Sequence, residues 1–177
     1  MSTLQTILYP TDLSKPSENA FHLACSLARD FGARLIVLHV VEPPLPIYAG
    51  REVSIPAYQG CVEEAKQRLE GIKPSEPGIQ TEHRLVEGAP VEEILRTAED
   101  VRPDLVVMGT HGRSGVARLL MGSVADQVVR RAHCPVITVK TPLPMPASSE
   151  KPNGDNGDPA PESEEHIEYK LRCRGLS

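Results

Sequence analysis

Aromatic side chains are almost missing from this chain: tryptophan is absent, and aromatics make up 3% of 177 residues. Any core must therefore be aliphatic, and a hydrophobic content of 40% is enough to build one. Long apolar runs are missing too, since none approaches the ~18 residues of a membrane-spanning helix. The opening MSTLQTILYPTDLSKP has no charged n-region and too short an apolar stretch for a secretory signal. These absences predict a cytoplasmic protein with no membrane partner. Basic excess is also lacking. The formal net charge is −5, which argues against nucleic acid as a partner, because phosphate backbones demand a basic surface. Cysteines are few and scattered, at Cys25, Cys61, Cys134 and Cys173, with no CxxC pair. That is neither a zinc pattern nor a small disulfide scaffold. Cys25 and Cys134 lie among apolar residues and read as buried, reduced thiols.

What the chain does have is alternation. Thr6 to Tyr9 (TILY) is a short apolar run ending at Pro10, as in a buried strand. TDLSKPSEN follows, with capping residues and a proline near a helix start. Ala20, Phe21, Ala24, Leu27, Ala28 and Phe31 then share one helical face, and Gly32 closes that helix. Arg34 to Val41 (RLIVLHVV) is a second buried strand. The connection from Glu42 to Pro56 is proline-rich and long for its kind, which suits a lid. Helices over about Tyr58–Ile72, Pro90–Ala98 and Val124–Ala132 complete the pattern, with strands over Gln80–Val86, Asp104–Met108 and Pro135–Lys140. Such alternation with nearly all-apolar strands predicts an α/β fold, a doubly wound, five-stranded parallel sheet with helices on both faces. Beyond Lys140 the composition turns to Pro, Ser, Glu, Asp and Gly, too polar to offset its ordering entropy. The expected organisation is one domain over residues 1–140 and a disordered acidic tail over 141–177.

In open α/β sheets, ligands bind beyond the carboxyl ends of the strands, where strand order reverses. Two segments are suited to that place if the first and fourth strands are neighbours. One is Pro10-Thr11-Asp12; the other is MGTHGRSGVARLLMGS, Met108 to Ser123. Gly109, Gly112 and Gly115 let backbone approach a ligand closely. Gly122-Ser123 opens a helix whose first N–H groups lack internal partners and carry partial positive charge. Arg113 and Arg118 add charge, and Val116, Leu119 and Leu120 read as anchors for the loop. The composition suits a phosphate group; the plainer reading is that the glycines only mark turns. GxxxxGK[ST] is absent, so this is not a P-loop, and no GxGxxG follows the first strand. Taken singly, Asp12 could cap the first helix, His39 suits a satisfied structural histidine, and His111, Arg113 and Arg118 could be solvated loop residues. His22 and Arg29 fall on the solvent side of the first helix.

The spacing G-x2-G-x9-G-S, at Gly109, Gly112, Gly122 and Ser123, resembles the ATP-binding signature of the universal stress protein family. The surrounding MGTHGRSG and LLMGSVADQVVRRAHCPVITV are similar to that family's C-terminal signature, and ILYPTDLS and LIVLHVVEP to its opening. The resemblance runs from Leu4 to about Lys140. It implies a Rossmann-like domain of the adenine-nucleotide α-hydrolase type that binds ATP, with Mg²⁺ or Mn²⁺ as a companion ion, and forms a homodimer. By position, Asp12 would meet the adenosine end, with Pro10 and Thr11 shaping that wall. Val40 would offer backbone groups to adenine, and Met108 and Gly109 would floor the site. His111, Gly112 and Arg113 would line the phosphates, and Gly122, Ser123 and Val124 would hold them by N–H and hydroxyl.

Phosphoryl transfer needs a positioned nucleophile and charge neutralisation. The loop holds no evident base and no carboxylate for a metal, so no catalytic residue and no protein metal ligand is assigned. Asp12 and Asp126 are candidates only for an indirect role. The expectation is an ATP-dependent stress-response switch with at most slow hydrolysis. The rival is a dimeric interaction module that uses no nucleotide, paired through the last strand, Pro135 to Lys140. An α-hydrolase-type metabolic enzyme would need a serine-glycine-rich loop after the first strand, which TDLSKPSE does not provide.

Overall fold

Alternating apolar runs and amphipathic stretches fold into a single parallel sheet wrapped by helices. The computed structural model describes residues 4–43, 55–110 and 122–140. The strands are β1 (Thr6–Pro10), β2 (Arg34–Val41), β3 (Thr81–Glu87), β4 (Leu105–Gly109) and β5 (Val136–Val139). The helices are α1 (Glu18–Phe31), α2 (Ile55–Glu70), α3 (Pro90–Val101) and α4 (Ser123–Arg131), with one 3-10 turn at Lys15–Ser17. Strand order is β3-β2-β1-β4-β5, and every pairing is parallel. The lid expected over Glu42–Pro56 falls mostly outside the described residues, as do the tail over 141–177 and the loop anchors Val116, Leu119 and Leu120.

Strand residues alternate between two cores. Ile7, Tyr9, Leu35, Val37, Leu105 and Val107 face α1 and α2 and pack on Ala20, Ala24, Ala28 and Leu69. Leu8, Ile36, Leu38, Val106 and Met108 face the other side, against Ile94 of α3 and Ala125 and Val128 of α4. The three alanines of α1 let that helix lie close to the sheet. Gly32 ends α1 in the left-handed region (φ 65°), as its position foretold.

The sequence-based boundaries hold to within a few residues, and those of β2 are identical. Phe31 departs from expectation: it is 58% exposed, because the last turn of α1, with Arg29, Asp30 and Gly32 also exposed, runs beyond the sheet. Cys25 and Cys134 are free but only half-buried. Burial pushes the Cys25 thiol up to about 11 and raises Cys134 as well, so both stay protonated and unreactive at neutral pH.

Candidate functional site

Strand order reverses between β1 and β4. They pair through Ile7 with Leu105 and Leu8 with Val106, while the chain continues from β1 toward β2 and β3 and from β4 toward β5. Pro10-Thr11-Asp12 and the described ends of the second segment, Met108 to Thr110 and Gly122-Ser123, therefore flank one crevice at the carboxyl edge of the sheet.

The β1 wall is a tight turn. Pro10 is buried, and Thr11 is 7% exposed. Thr11 Oγ1 lies 3.0 Å from Ser17 Oγ and accepts the Leu13 N–H at 3.1 Å. Ser17 Oγ donates to the Ser14 carbonyl, and Tyr9 Oη donates to the Ser17 carbonyl at 2.9 Å. Burial raises the Tyr9 phenol above its ordinary value, so it remains a donor. Asp12 is half-buried. Its Oδ1 accepts the Ser14 N–H at 3.1 Å and the Ser14 hydroxyl at 2.6 Å, and its Oδ2 is buried. Asp12 thus closes the turn before Lys15 rather than capping α1, whose N-cap is Ser17. His39, 6% exposed, sets Nδ1 2.7 Å from the Thr11 carbonyl. The carbonyl can only accept, so Nδ1 carries the proton. The reading of His39 as a satisfied structural histidine fits.

Val40 contributes backbone. Arg34 N–H donates to the Gln5 carbonyl and Thr11 N–H to the Leu38 carbonyl, so the even positions of β2 bond toward β1. Leu35 N–H donates to Gln80, and Val41 accepts from Gly88, so the odd positions bond toward β3. Alternation then turns the Val40 N–H and C=O to the β1 side, where β1 has ended at Pro10. Both groups face the crevice.

The β4 wall is built differently. Met108 is buried beneath it, and Gly109 lies opposite Val139. Thr110 N–H donates to the Val139 carbonyl at 3.0 Å, and the Thr110 carbonyl accepts the Gly122 N–H at 2.7 Å. This last bond brings the two ends of the glycine loop together directly beyond β4. His111, Gly112 and Arg113 lie outside the described residues. The first intrahelical bond of α4 runs from Asp126 N–H to the Gly122 carbonyl at 3.0 Å. The N–H groups of Ser123, Val124 and Ala125 thus precede any acceptor within α4 and point out of its start. The Gly122 N–H, expected to meet phosphate, donates to the Thr110 carbonyl in this structure, and the N–H groups that follow it have no acceptor within α4. Ser123 is exposed and Val124 half-buried.

Asp126 is held by Arg130 Nε at 3.1 and 3.0 Å. Among the described residues no group of three or more His, Cys, Asp or Glu is placed to hold a metal ion, and no helix is long and apolar enough to cross a membrane. A separate groove of about 500 Å³ opens at the opposite edge of the sheet, between the ends of α3 and α4, lined by Arg102, Pro103 and Cys134 among others. Sequence reasoning passed over Thr110, Leu13, Ser17 and Arg68. Arg68 of α2 donates Nη2 to the Leu13 carbonyl at 2.6 Å. For Thr110 and Leu13 the only signal was position just after a strand end; Ser17 and Arg68, in the 3-10 turn and in α2, gave none.

The sequence model of the universal stress protein family matches residues 3–140. Universal stress protein MJ0531 of Methanocaldococcus jannaschii is 37% identical over 142 residues, covering 77% of this chain and 82% of that protein. The solved structure of protein MJ0577 superposes with a TM-score of 0.68 at 31% identity, covering 81% of this chain and 100% of that one. A universal stress protein crystallised in complex with cAMP gives a TM-score of 0.55 at 31% identity, covering 80% of this chain and 100% of that one. Sequence and fold agree with these relatives, and the chain belongs to the universal stress protein family.

Proposed function

We propose that the crevice between β1 and β4 binds ATP, and that the protein is a cytoplasmic, homodimeric stress-response switch with at most slow hydrolysis. The observation that carries this reading is the Thr110–Gly122 hydrogen bond, which sets the start of α4 at the reversal of strand order. There the N–H groups of Ser123 to Ala125 suit an anion, and the Val40 backbone offers a donor and an acceptor to a base. Pro10, Thr11 and Asp12 form the adenosine wall, Met108 and Gly109 the floor. His111, Gly112 and Arg113 complete the phosphate side, with Ser123 and Val124. Mg²⁺ or Mn²⁺ enters with the phosphates. The cAMP complex of a relative supports an adenine nucleotide as the ligand class. Binding without turnover favours one conformation by its differential affinity, which is all that a switch needs.

Thermal unfolding with and without millimolar ATP and Mg²⁺ tests the reading. Saturation should raise the melting temperature by several degrees, since ligand at about 100 times its Kd adds about 2.7 kcal/mol. No shift ends the ATP assignment. A second reading keeps the dimer and drops the nucleotide. It is favoured by β5, an edge strand of four residues with Ile137 37% exposed, which offers unpaired backbone to a second copy. Nucleotide released by denaturing the purified protein separates the two, and light scattering reports the dimer. We also place the domain at residues 1–140 and the tail at 141–177. Deleting Thr141–Ser177 should leave ATP binding and dimerisation intact.

A further inference from the structure

Leu13 has φ 61°, one of two described non-glycine residues in the left-handed region. The other, Arg102, is the C-cap of α3, where that conformation is ordinary. Leu13 is not a cap, and an L-residue there costs of order 1 kcal/mol. Strain of this kind persists only where the surroundings over-determine it, and here they do. The Leu13 N–H is taken by Thr11 Oγ1, and its carbonyl by Arg68 Nη2 at 2.6 Å. One residue earlier, Oδ1 of Asp12 is fixed by Ser14; one earlier still, the Thr11 carbonyl is fixed by His39. Four of these ties are local or come from β2. The Arg68 tie alone reaches 55 residues along the chain, to the last turns of α2.

We propose that Arg68 is a positioning residue of the nucleotide site. Its guanidinium holds the Leu13 carbonyl, and with it the Asp12–Leu13 turn, in the orientation that presents Asp12 to the adenosine end. The inference rests on the ATP reading of the crevice. Arg68 touches no ligand and acts through Leu13. Its side chain belongs to an exposed residue, so replacing it leaves both cores untouched. Coupling is reciprocal: a nucleotide that braces the turn also braces the end of α2.

Full-length wild type, Arg68→Gln and Arg68→Lys are titrated calorimetrically with ATP and Mg²⁺, and hydrogen exchange is followed over residues 67–72. Losing one hydrogen bond that orders the wall should weaken ATP by about five- to ten-fold in Arg68→Gln. Lysine, which keeps a charged donor, should recover part of the loss. ATP should slow exchange over residues 67–72 in wild type and leave it unchanged in Arg68→Gln, whose ligand-free melting temperature should fall by no more than the few degrees that one exposed hydrogen bond supplies. An unchanged affinity in Arg68→Gln, or slowing that persists there, overturns the proposal while the ATP site stands. Absence of ATP binding by wild type removes the site and this inference together.

Discussion

On the β1 wall of the crevice, Tyr9, Thr11, Asp12, Ser14 and Ser17 hydrogen-bond to one another and to the turn they form. On the β4 wall, the glycine loop is closed at its root by backbone, from Gly122 to Thr110 and from Thr110 to Val139. The first wall turns its polar side chains inward and gains a fixed shape. The second leaves helix-start N–H groups turned outward. A nucleotide needs both: a shaped surface for the invariant adenosine, and open donors for phosphates, whose charge is met best by N–H groups already in place. On the proposed ATP reading, side-chain chemistry therefore matters most for stability on the β1 wall, and backbone space matters most for ligand on the β4 wall.

Gly122→Val should break the ligand side outright. At φ −69° and ψ 156° the backbone here lies in the extended region open to any residue, so valine adds bulk at the proposed phosphate end without requiring a glycine-only conformation. The ATP-induced stabilisation, about 2.7 kcal/mol at 100 times Kd, should vanish, while ligand-free unfolding in urea shows only the loss of about 1 kcal/mol that a poorer N-cap costs. Retention of the full shift would mean that phosphates do not approach the start of α4.

Thr11→Val is the opposite test. It removes a buried hydroxyl and leaves Ser17 Oγ and the Leu13 N–H without that partner, at a cost of about 1–3 kcal/mol. Chemical denaturation of the ligand-free protein measures it, and a loss under about 0.5 kcal/mol would show the turn to be less dependent on Thr11 than the geometry indicates. Tyr9→Phe removes one bond, to the Ser17 carbonyl, and should cost about 1 kcal/mol.

The smallest effect lies at the other edge of the sheet and serves as a control. Asp104 Oδ2 accepts the N–H groups of Gln5 and Thr6 at 2.8 and 2.9 Å. These bonds, Gln5 first, hold its carboxyl below the ordinary 3.8. The stabilisation is complete above the unfolded value and is lost as pH falls through the lower folded value. Asp104 is exposed, so Asp104→Asn should cost only about 0.5 kcal/mol at neutral pH. Urea titrations at descending pH should show the gap from wild type closing in the acid range, with the ATP shift unaltered at neutral pH. A gap that widens in acid would reverse the assignment.

Much of this was legible in the sequence. RLIVLHVV marked β2, because a short run dense in apolar and β-branched residues suits a buried strand. Gly32 marked a helix end, because its φ favours glycine. The Gly122-Ser123 pair marked the start of α4, and His39 was recognised as structural from its apolar neighbours. The employment of the Gly122 N–H by Thr110 was not legible, nor was the strain at Leu13. Both depend on where a partner stands after folding, and no local pattern encodes it.

The sequence by itself determined the order of strands and helices and most of the faces they bury. Periodicity, capping and backbone freedom are properties of neighbours in the chain. Only the tertiary structure decided that β1 lies beside β4, that His39 reaches Thr11 and that Arg68 reaches Leu13. These contacts join residues 28 to about 100 positions apart. They form because burying both faces of one sheet brings its strand ends together, a cooperative result of packing that no single segment contains.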